Sequence, residues 1–214
     1  MRRLITSLST LVLGAALLSP VAGAQDFFDG GRIGGGSSQV IPEGSSLPGG
    51  ELSEIDGAVD LERYAGKWYQ VAALPQPYTL QCTNNTTAEY GVIDDSTISV
   101  RNSCGTPFGP SVIEGTASVR SDASLRVNFP GVPFQDENGA VNYRVTHLEE
   151  DYSLAVVGDP NRLSGFVLSR TPNLSPQQWS QVRGIVDSRG WNSCTFLTVP
   201  MAGGRGDVAP LCTQ

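Results

Sequence analysis

The chain has one histidine and four cysteines, with no Cys-x-x-Cys pair. With so few ligands and one imidazole, neither a zinc site nor a Ser-His-Asp set is expected. Charge is sparse at 16%, and cationic charge sparser still, with 14 Lys+Arg against 21 Asp+Glu. There is no basic run, and so acidic a chain is repelled by nucleic acid and anionic membrane. Long apolar runs are also missing. The stretch Leu11 to Leu18 is too short to span a bilayer. It follows Arg2-Arg3 and precedes the small residues Ala22-Gly23-Ala24, which together read as a secretory signal over residues 1–24. Its removal takes Lys+Arg from 14 to 12 and the net charge from -7 to -9. No cysteine lies near the cleavage site, so neither a lipid anchor nor a transmembrane segment is expected. The reading is a secreted, extracellular protein, or one of a periplasmic or cell-wall space.

What is present falls into zones. Residues 25–57 are rich in Gly, Ser and Pro and include Gly34-Gly35-Gly36-Ser37-Ser38, a composition that predicts a flexible linker. Phe27-Phe28 is its one aromatic pair. Residues 58–200 change to short alternating runs between turn residues. The runs are Trp68–Leu74, Thr87–Val92, Ile98–Asn102, Val112–Val119, Leu125–Phe129, Val141–His147, Ser153–Val157 and Leu163–Ser169. Eight strands at this spacing predict an all-β fold, an eight-stranded antiparallel up-and-down β-barrel without exposed edges. Ser175-Pro176 then opens a helix with Trp179, Val182, Ile185 and Val186 on one face, and Gly190 stops it. This single C-terminal α-helix would pack outside the barrel, followed by a short ninth strand at Cys194–Val199. Residues 201–214 form a C-terminal extension, read as exposed polar chain.

Period-two alternation picks out the inward faces. Trp68, Gln70 and Ala72 lie on the first strand, and Ala88 and Tyr90 on the second. Ile98, Val100 and Asn102 follow, then Ile113, Gly115 and Ala117. Val127, Phe129, Tyr143, Val145, Ala155, Val157, Ser164 and Phe166 complete the inward set, which apart from Trp68 and Ala117 is expected to bind the ligand. An eight-stranded barrel is just wide enough to be filled by side chains or to hold one small ligand. The small residues Ala72, Ala88, Gly115, Ala117 and Ala155 favour a cavity. Gln70, Asn102, Tyr90 and Tyr143 would orient a head group without demanding an anion. His147 would have to face inward to ligate haem, and it sits at the end of its strand. No cofactor and no metal are implied.

Gly66 lies two residues before Trp68. Trp68 at the start of the first strand and Arg170 at the end of the last can meet at one barrel end, with the guanidinium across the indole. These residues also carry a family resemblance. Arg63-Tyr64-x-Gly66-x-Trp68-Tyr69, Glu150-Asp151-Tyr152-x-x-Ala155-x-Val157-Gly158-x-Pro160 and Val167-Leu168-Ser169-Arg170-Thr171-Pro172 resemble, in order, the three signature segments of the lipocalins. The likeness is to the bacterial and apolipoprotein D-like branch and covers about Asp60 to Pro200. It implies a calyx that holds an apolar ligand and is closed at the Trp68 end, with Gly66, Trp68, Asp151, Tyr152 and Arg170 structural.

Four cysteines, Cys82, Cys104, Cys194 and Cys212, predict two disulfides in an oxidising compartment. The turn at Asp94-Asp95 returns Cys104 toward Cys82, and Cys194 and Cys212 flank the last strand and tail. That favours 82–104 with 194–212. The resemblance suggests a rival, 82–212 with 104–194, because apolipoprotein D-like members tie their first loop to the tail. Asn84 and Asn85 each begin a glycosylation sequon, and Arg205-Gly206-Asp207 is a weak integrin-like tripeptide. The function expected is a secreted, non-enzymatic carrier of a small hydrophobic ligand such as a fatty acid or lysolipid. The alternatives are a lipocalin-fold enzyme acting on a lipid or carotenoid, and a protein-binding module using mouth loops Gly105–Ser111 and Gly131–Ala140.

Overall fold

A computed structural model describes residues 50–133 and 135–214. The signal and the linker up to residue 49, with Phe27-Phe28, lie outside them. The strands are β1 Gly66–Ala73, β2 Asn84–Asp94, β3 Thr97–Thr106, β4 Gly109–Val119, β5 Ser124–Asn128, β6 Tyr143–Leu148, β7 Leu154–Gly158, β8 Gly165–Ser169 and β9 Leu197–Thr198. All neighbours are antiparallel in the order β1 to β8, and β1 pairs with both β2 and β8, so the sheet closes into an eight-stranded barrel. β9 joins the far end of β1 through Ala72 and Ala73. A short helix, α1 (Leu61–Tyr64), leads into β1.

Local chemistry sets these boundaries. The Asp94 carboxylate accepts from the Ser96 N–H at 2.8 Å and closes the β2–β3 turn. Gly109, at φ +114°, lets β3 and β4 run to a tight turn at Pro107-Phe108, so most of the loop read at Gly105–Ser111 is strand. β9 shrinks to two residues because Ser193–Thr195 forms a 3-10 turn capped by Asn192. Helix α2 (Pro176–Ser188) starts with a reciprocal cap, Ser175 Oγ accepting from Gln178 N–H while the Gln178 side chain accepts from Ser175 N–H. Its Trp179, Val182 and Val186 pack on Val71, Leu154, Val156 and Val167 of the barrel's outer face.

One end of the barrel is closed by side chains. Trp68 is fully buried and its indole N–H donates to Tyr64 O at 2.8 Å. The Arg170 guanidinium lies 3.9 Å from the Trp68 ring and donates to the carbonyls of Arg63, Tyr64, Lys67 and Tyr152. Gly66, at φ +89°, passes so close that a Cβ would stand 3.4 Å from Arg170 Nη1. Arg63 stacks 4.0 Å from the Tyr152 ring, whose hydroxyl accepts from Asp60 N–H at 3.0 Å. The Asp151 carboxylate accepts from Ser153 N–H at 2.9 Å, shaping the β6–β7 turn and keeping its pKa below the ordinary carboxylate value.

The segment Gly50–Gly57, which composition alone places in the linker, is docked on the barrel wall. Leu52 is fully buried and donates from its N–H to Pro160 O at 2.8 Å, and Ile55 N–H donates to Val145 O at 3.1 Å. β5 and β6 pair at only two positions, and this strap lies beside that short seam. Glu54 fastens it, accepting from Ser121 and Ser124 and lying 3.6 Å from Arg144 Nε. The C-terminal extension is also docked. Disulfide Cys194–Cys212 holds it, Leu211 is fully buried, and Leu211 N–H donates to Phe196 O at 2.9 Å. Arg205 pairs with its own Asp207 at 2.8 Å. The second bridge is Cys82–Cys104, so the pairing is 82–104 with 194–212, not the rival.

Arg170→Ala is expected to lower unfolding stability by about 2–4 kcal/mol, read by urea titration, because it removes the stacked cation and its carbonyl contacts together. Arg170→Lys should recover only part of that, since an ammonium lacks the planar fork. A second expectation concerns acid. Burial works to raise the Glu54 pKa, but the Ser121 and Ser124 hydroxyls and Arg144 outweigh it and hold the carboxyl below its usual value. Its contribution is therefore present above the unfolded-state pKa of about 4.3 and is lost as pH falls through the lower folded value. The protection factor at Ile55, the observed exchange rate divided into the intrinsic rate at each pH, should fall over that window in the wild type. It should be lower, but level, in Glu54→Gln.

Candidate calyx site

The barrel interior divides into a packed floor and a partly open upper half. The floor holds Tyr64, Trp68, Ala88, Tyr90, Ile98, Val100, Ala117, Leu125, Tyr143, Val145, Ala155, Val157 and Leu168, all buried in one cluster. At its centre three tyrosines meet. Tyr143 Oη is 2.6 Å from Tyr64 Oη and 3.1 Å from Tyr90 Oη, and the Tyr64 and Tyr90 rings stack at 5.4 Å. Burial pushes the Tyr90 hydroxyl up to about 12 and drives Tyr64 and Tyr143 well above the usual tyrosine value. The trio is neutral at physiological pH and its hydroxyls pair with one another. The head-group role given to Tyr90 and Tyr143 therefore does not hold; they plug the barrel.

Above this floor the inward side chains are only partly buried. They are Gln70, Asn102, Val127, Phe129 and Phe166, with Ile113 at the rim at 38% exposure. Cross-strand pairs place Asn102 between Ala88 and Ile113. Its Oδ1 is buried without a hydrogen-bond partner among the described residues. An unpaired acceptor in an apolar wall costs free energy until a donor meets it.

Besides the residues packed into the floor (Ala88, Tyr90, Ile98, Val100, Tyr143, Val145, Ala155 and Val157), three others assigned to the cavity do not line it. Ala72 belongs to the outer cluster beneath α2. β1 carries an irregularity between Gln70, opposite Leu168, and Ala72, opposite Val167, so the inward phase passes to Ala73, opposite Phe166. Ser164 lies in the β7–β8 loop, where its hydroxyl is held by the Asp159 carboxylate. Gly115 adds no void, because a Cβ there would collide with the Asn128 carbonyl and the Phe129 ring. Ala88, Ala117 and Ala155 likewise make room for Trp68 and the tyrosines rather than for empty space.

The sequence reading missed Tyr64, Leu125, Leu168 and Ala73. Leu125 and Leu168 continue the alternation of Val127 and Phe166 by one step, a signal that was available. Tyr64 precedes the first strand on α1, where strand periodicity has nothing to say. His147 points away from the calyx. The register shift between Val145 and His147 sets it opposite outward-facing Val156, and its Nε2 lies 3.1 Å from Glu149 Oε1.

Two clefts lie away from the mouth. One of about 380 Å³ opens at the Trp68 end among Val59, Leu61, Asp95, Val119 and Ser121 and reaches the floor residues Tyr64, Leu125 and Val145. The other, about 510 Å³, is a polar hollow between Glu149–Leu154 and Gln178 and Gln181 of α2.

Residues 59–201 match the family described as the lipocalin-like domain. Temperature-induced lipocalin-1 of Arabidopsis thaliana is 32% identical over 156 residues, covering 70% of this chain and 83% of the relative. The outer membrane lipoprotein Blc of Citrobacter freundii is 31% identical over 149 residues, covering 67% of this chain and 80% of that one. Among solved structures, the cockroach allergen Per a 4 superposes with a TM-score of 0.56 at 14% identity, over 71% of this chain and 94% of that chain. Insecticyanin of the tobacco hornworm gives 0.51 at 18%, over 74% and 94%. At such identity these two speak for the fold.

The tyrosine floor gives a direct optical readout. Tyr64, Tyr90 and Tyr143 are expected to stay protonated until the barrel opens, so tyrosinate absorbance should rise in an early phase and a late one that coincides with unfolding. Groups whose folded pKa is raised stabilise fully below the unfolded value of about 10 and lose that contribution as pH rises through the folded one. One smooth titration of all six tyrosines with the fold intact would mean a water-filled floor.

Proposed function

The chain belongs to the lipocalin family, and on that premise we propose that it is an exported carrier that holds one small hydrophobic molecule in the upper half of its calyx. The observation that carries the reading is the wall of partly buried Val127, Phe129 and Phe166, with Ile113 at the rim, above a packed aromatic floor. Burying an acyl chain there yields roughly 0.8 kcal/mol per CH2 before ordering costs, enough for micromolar binding with few polar contacts. The floor limits depth, so a bent or short acyl chain, as in a fatty acid or lysolipid, fits better than a rigid molecule running the length of the barrel. Asn102 Oδ1, lacking a partner among the described residues, suits a ligand hydroxyl or a protonated acid as donor. Release needs no chemistry, only the ligand's return to another apolar phase. Two disulfides and the signal-like residues 1–24 support an oxidising destination outside the cytoplasm.

Native mass spectrometry of the purified protein, followed by organic extraction, is expected to reveal one bound lipid-sized molecule. Val127→Trp, which fills the calyx wall, should weaken binding of a fluorescent fatty acid by about tenfold or more. Ile93→Trp, at an exposed position by the closed end, should not. No bound mass, together with no uptake of any fatty acid or lysolipid, would overturn the reading.

A further inference from the structure

The open end of the barrel carries apolar side chains held out in solvent on four separate loops. Tyr78 and Leu80 in the β1–β2 loop are 64% and 78% exposed, Phe108 at the β3–β4 turn 100%, and Leu163 in the β7–β8 loop 72%. Val132 in the β5–β6 loop adds a fifth, at 36%. Alternate connections of an up-and-down barrel fall at the same end, so these loops form one rim. Single exposed apolar residues are ordinary; one on every loop around a single opening is not.

The rim is also free of charge to a degree that the rest of the chain is not. No Asp, Glu, Lys or Arg occurs from Leu74 to Ala88, from Asn102 to Ile113, or from Val127 to Gln135, in a chain with 35 such residues, 14 basic and 21 acidic; the β5–β6 loop carries two exposed acids, Asp136 and Glu137, beyond that stretch. In the β7–β8 loop the two charges are turned inward. Asp159 holds Ser164, and Arg162 donates to the carbonyls of Gly50, Glu51 and Arg189. The loops cannot readily fold their apolar tips away. Cys82–Cys104 ties the first loop to β3, Gln76 Nε2 donates to Leu163 O at 2.9 Å, and Thr83 N–H donates to Gly105 O at 2.8 Å.

We propose that this crown seats the mouth of the calyx on a lipid bilayer of zwitterionic headgroups. Phe, Tyr and Leu side chains on dispersed tips suit an interface that flows around them, whereas a protein partner needs a continuous face. The acidic net charge and the lack of any basic cluster beside the rim exclude attraction by anionic lipid. A second copy docked mouth to mouth would bury the same tips but shut both calyces. On a bilayer the calyx opens directly onto acyl chains, so the ligand moves between two apolar phases without crossing water. Only this last step rests on the carrier reading; the docking stands apart from it.

The test is flotation of the purified protein with phosphatidylcholine vesicles. The protein should rise with the vesicles equally at low and high salt. The double variant Leu80→Asp/Phe108→Asp should partition about tenfold or more less, while still taking up a fluorescent fatty acid from solution as the wild type does. A wild type that stays behind, binding that requires anionic vesicles and fails in salt, or a variant that floats like the wild type would each overturn the proposal. So would a wild-type dimer that the double variant converts to monomer without any vesicle binding, which would assign the crown to a second copy. If the wild type floats, the variant does not, and neither takes up fatty acid, the docking holds and the carrier reading fails.

Discussion

The stacking of Arg170 on Trp68 joins the two ends of a sheet that would otherwise have edges. β1 must pair with β2 along its first half and with β8 along its second, and the join falls where one guanidinium covers the indole and collects four backbone carbonyls. A planar cation with several donors can stack and bond at the same time, which no ammonium can. Gly66 is required beside it because its φ of +89° is strained for any residue with a side chain.

Closure also decides what the interior can be. Tyr64 is carried in by α1, immediately before the join, and reaches Tyr143 and Tyr90 across the barrel. The alanines around them serve packing rather than emptiness. Among the described residues, the inward positions above the floor carry Gln70 and an Asn102 oxygen without a hydrogen-bond partner beside apolar side chains. In the carrier reading proposed above, such a surface would recognise by desolvation and shape, with one acceptor to distinguish among ligands.

The periphery ties both ends of the barrel, the strap running from Pro160 in the β7–β8 loop to Ser121 and Ser124 beside the floor. The strap at Gly50–Gly57, the bridge Cys82–Cys104 and the docked tail each attach near loops or at the short β5–β6 seam, where ladder hydrogen bonds are fewest. Apolar loop tips that would otherwise collapse inward are kept in solvent by these ties, and their exposure becomes a property of the fold.

Much of this was legible in the chain. Alternation and turn residues predict eight strands, Ser175-Pro176 predicts the helix start, and the even cysteine count with the Asp94-Asp95 turn favours the observed bridges. Those signals are local, and local sterics and hydrogen bonding decide them. Ala72, Gly115 and Ser164 were misplaced for a different reason. One extra residue in β1 reverses the inward phase, a neighbouring Phe129 ring takes the space a glycine leaves, and a loop carboxylate claims a serine hydroxyl. Residues 50–57 look like linker because single apolar residues such as Leu52 and Ile55 show no periodicity, yet each finds a buried place on the wall. Sequence by itself determined which residues alternate, turn and cap, because those depend on near neighbours. Only the tertiary structure decided which faces are filled, which are open and which tips stay wet, because that depends on side chains distant in sequence competing for one closed volume.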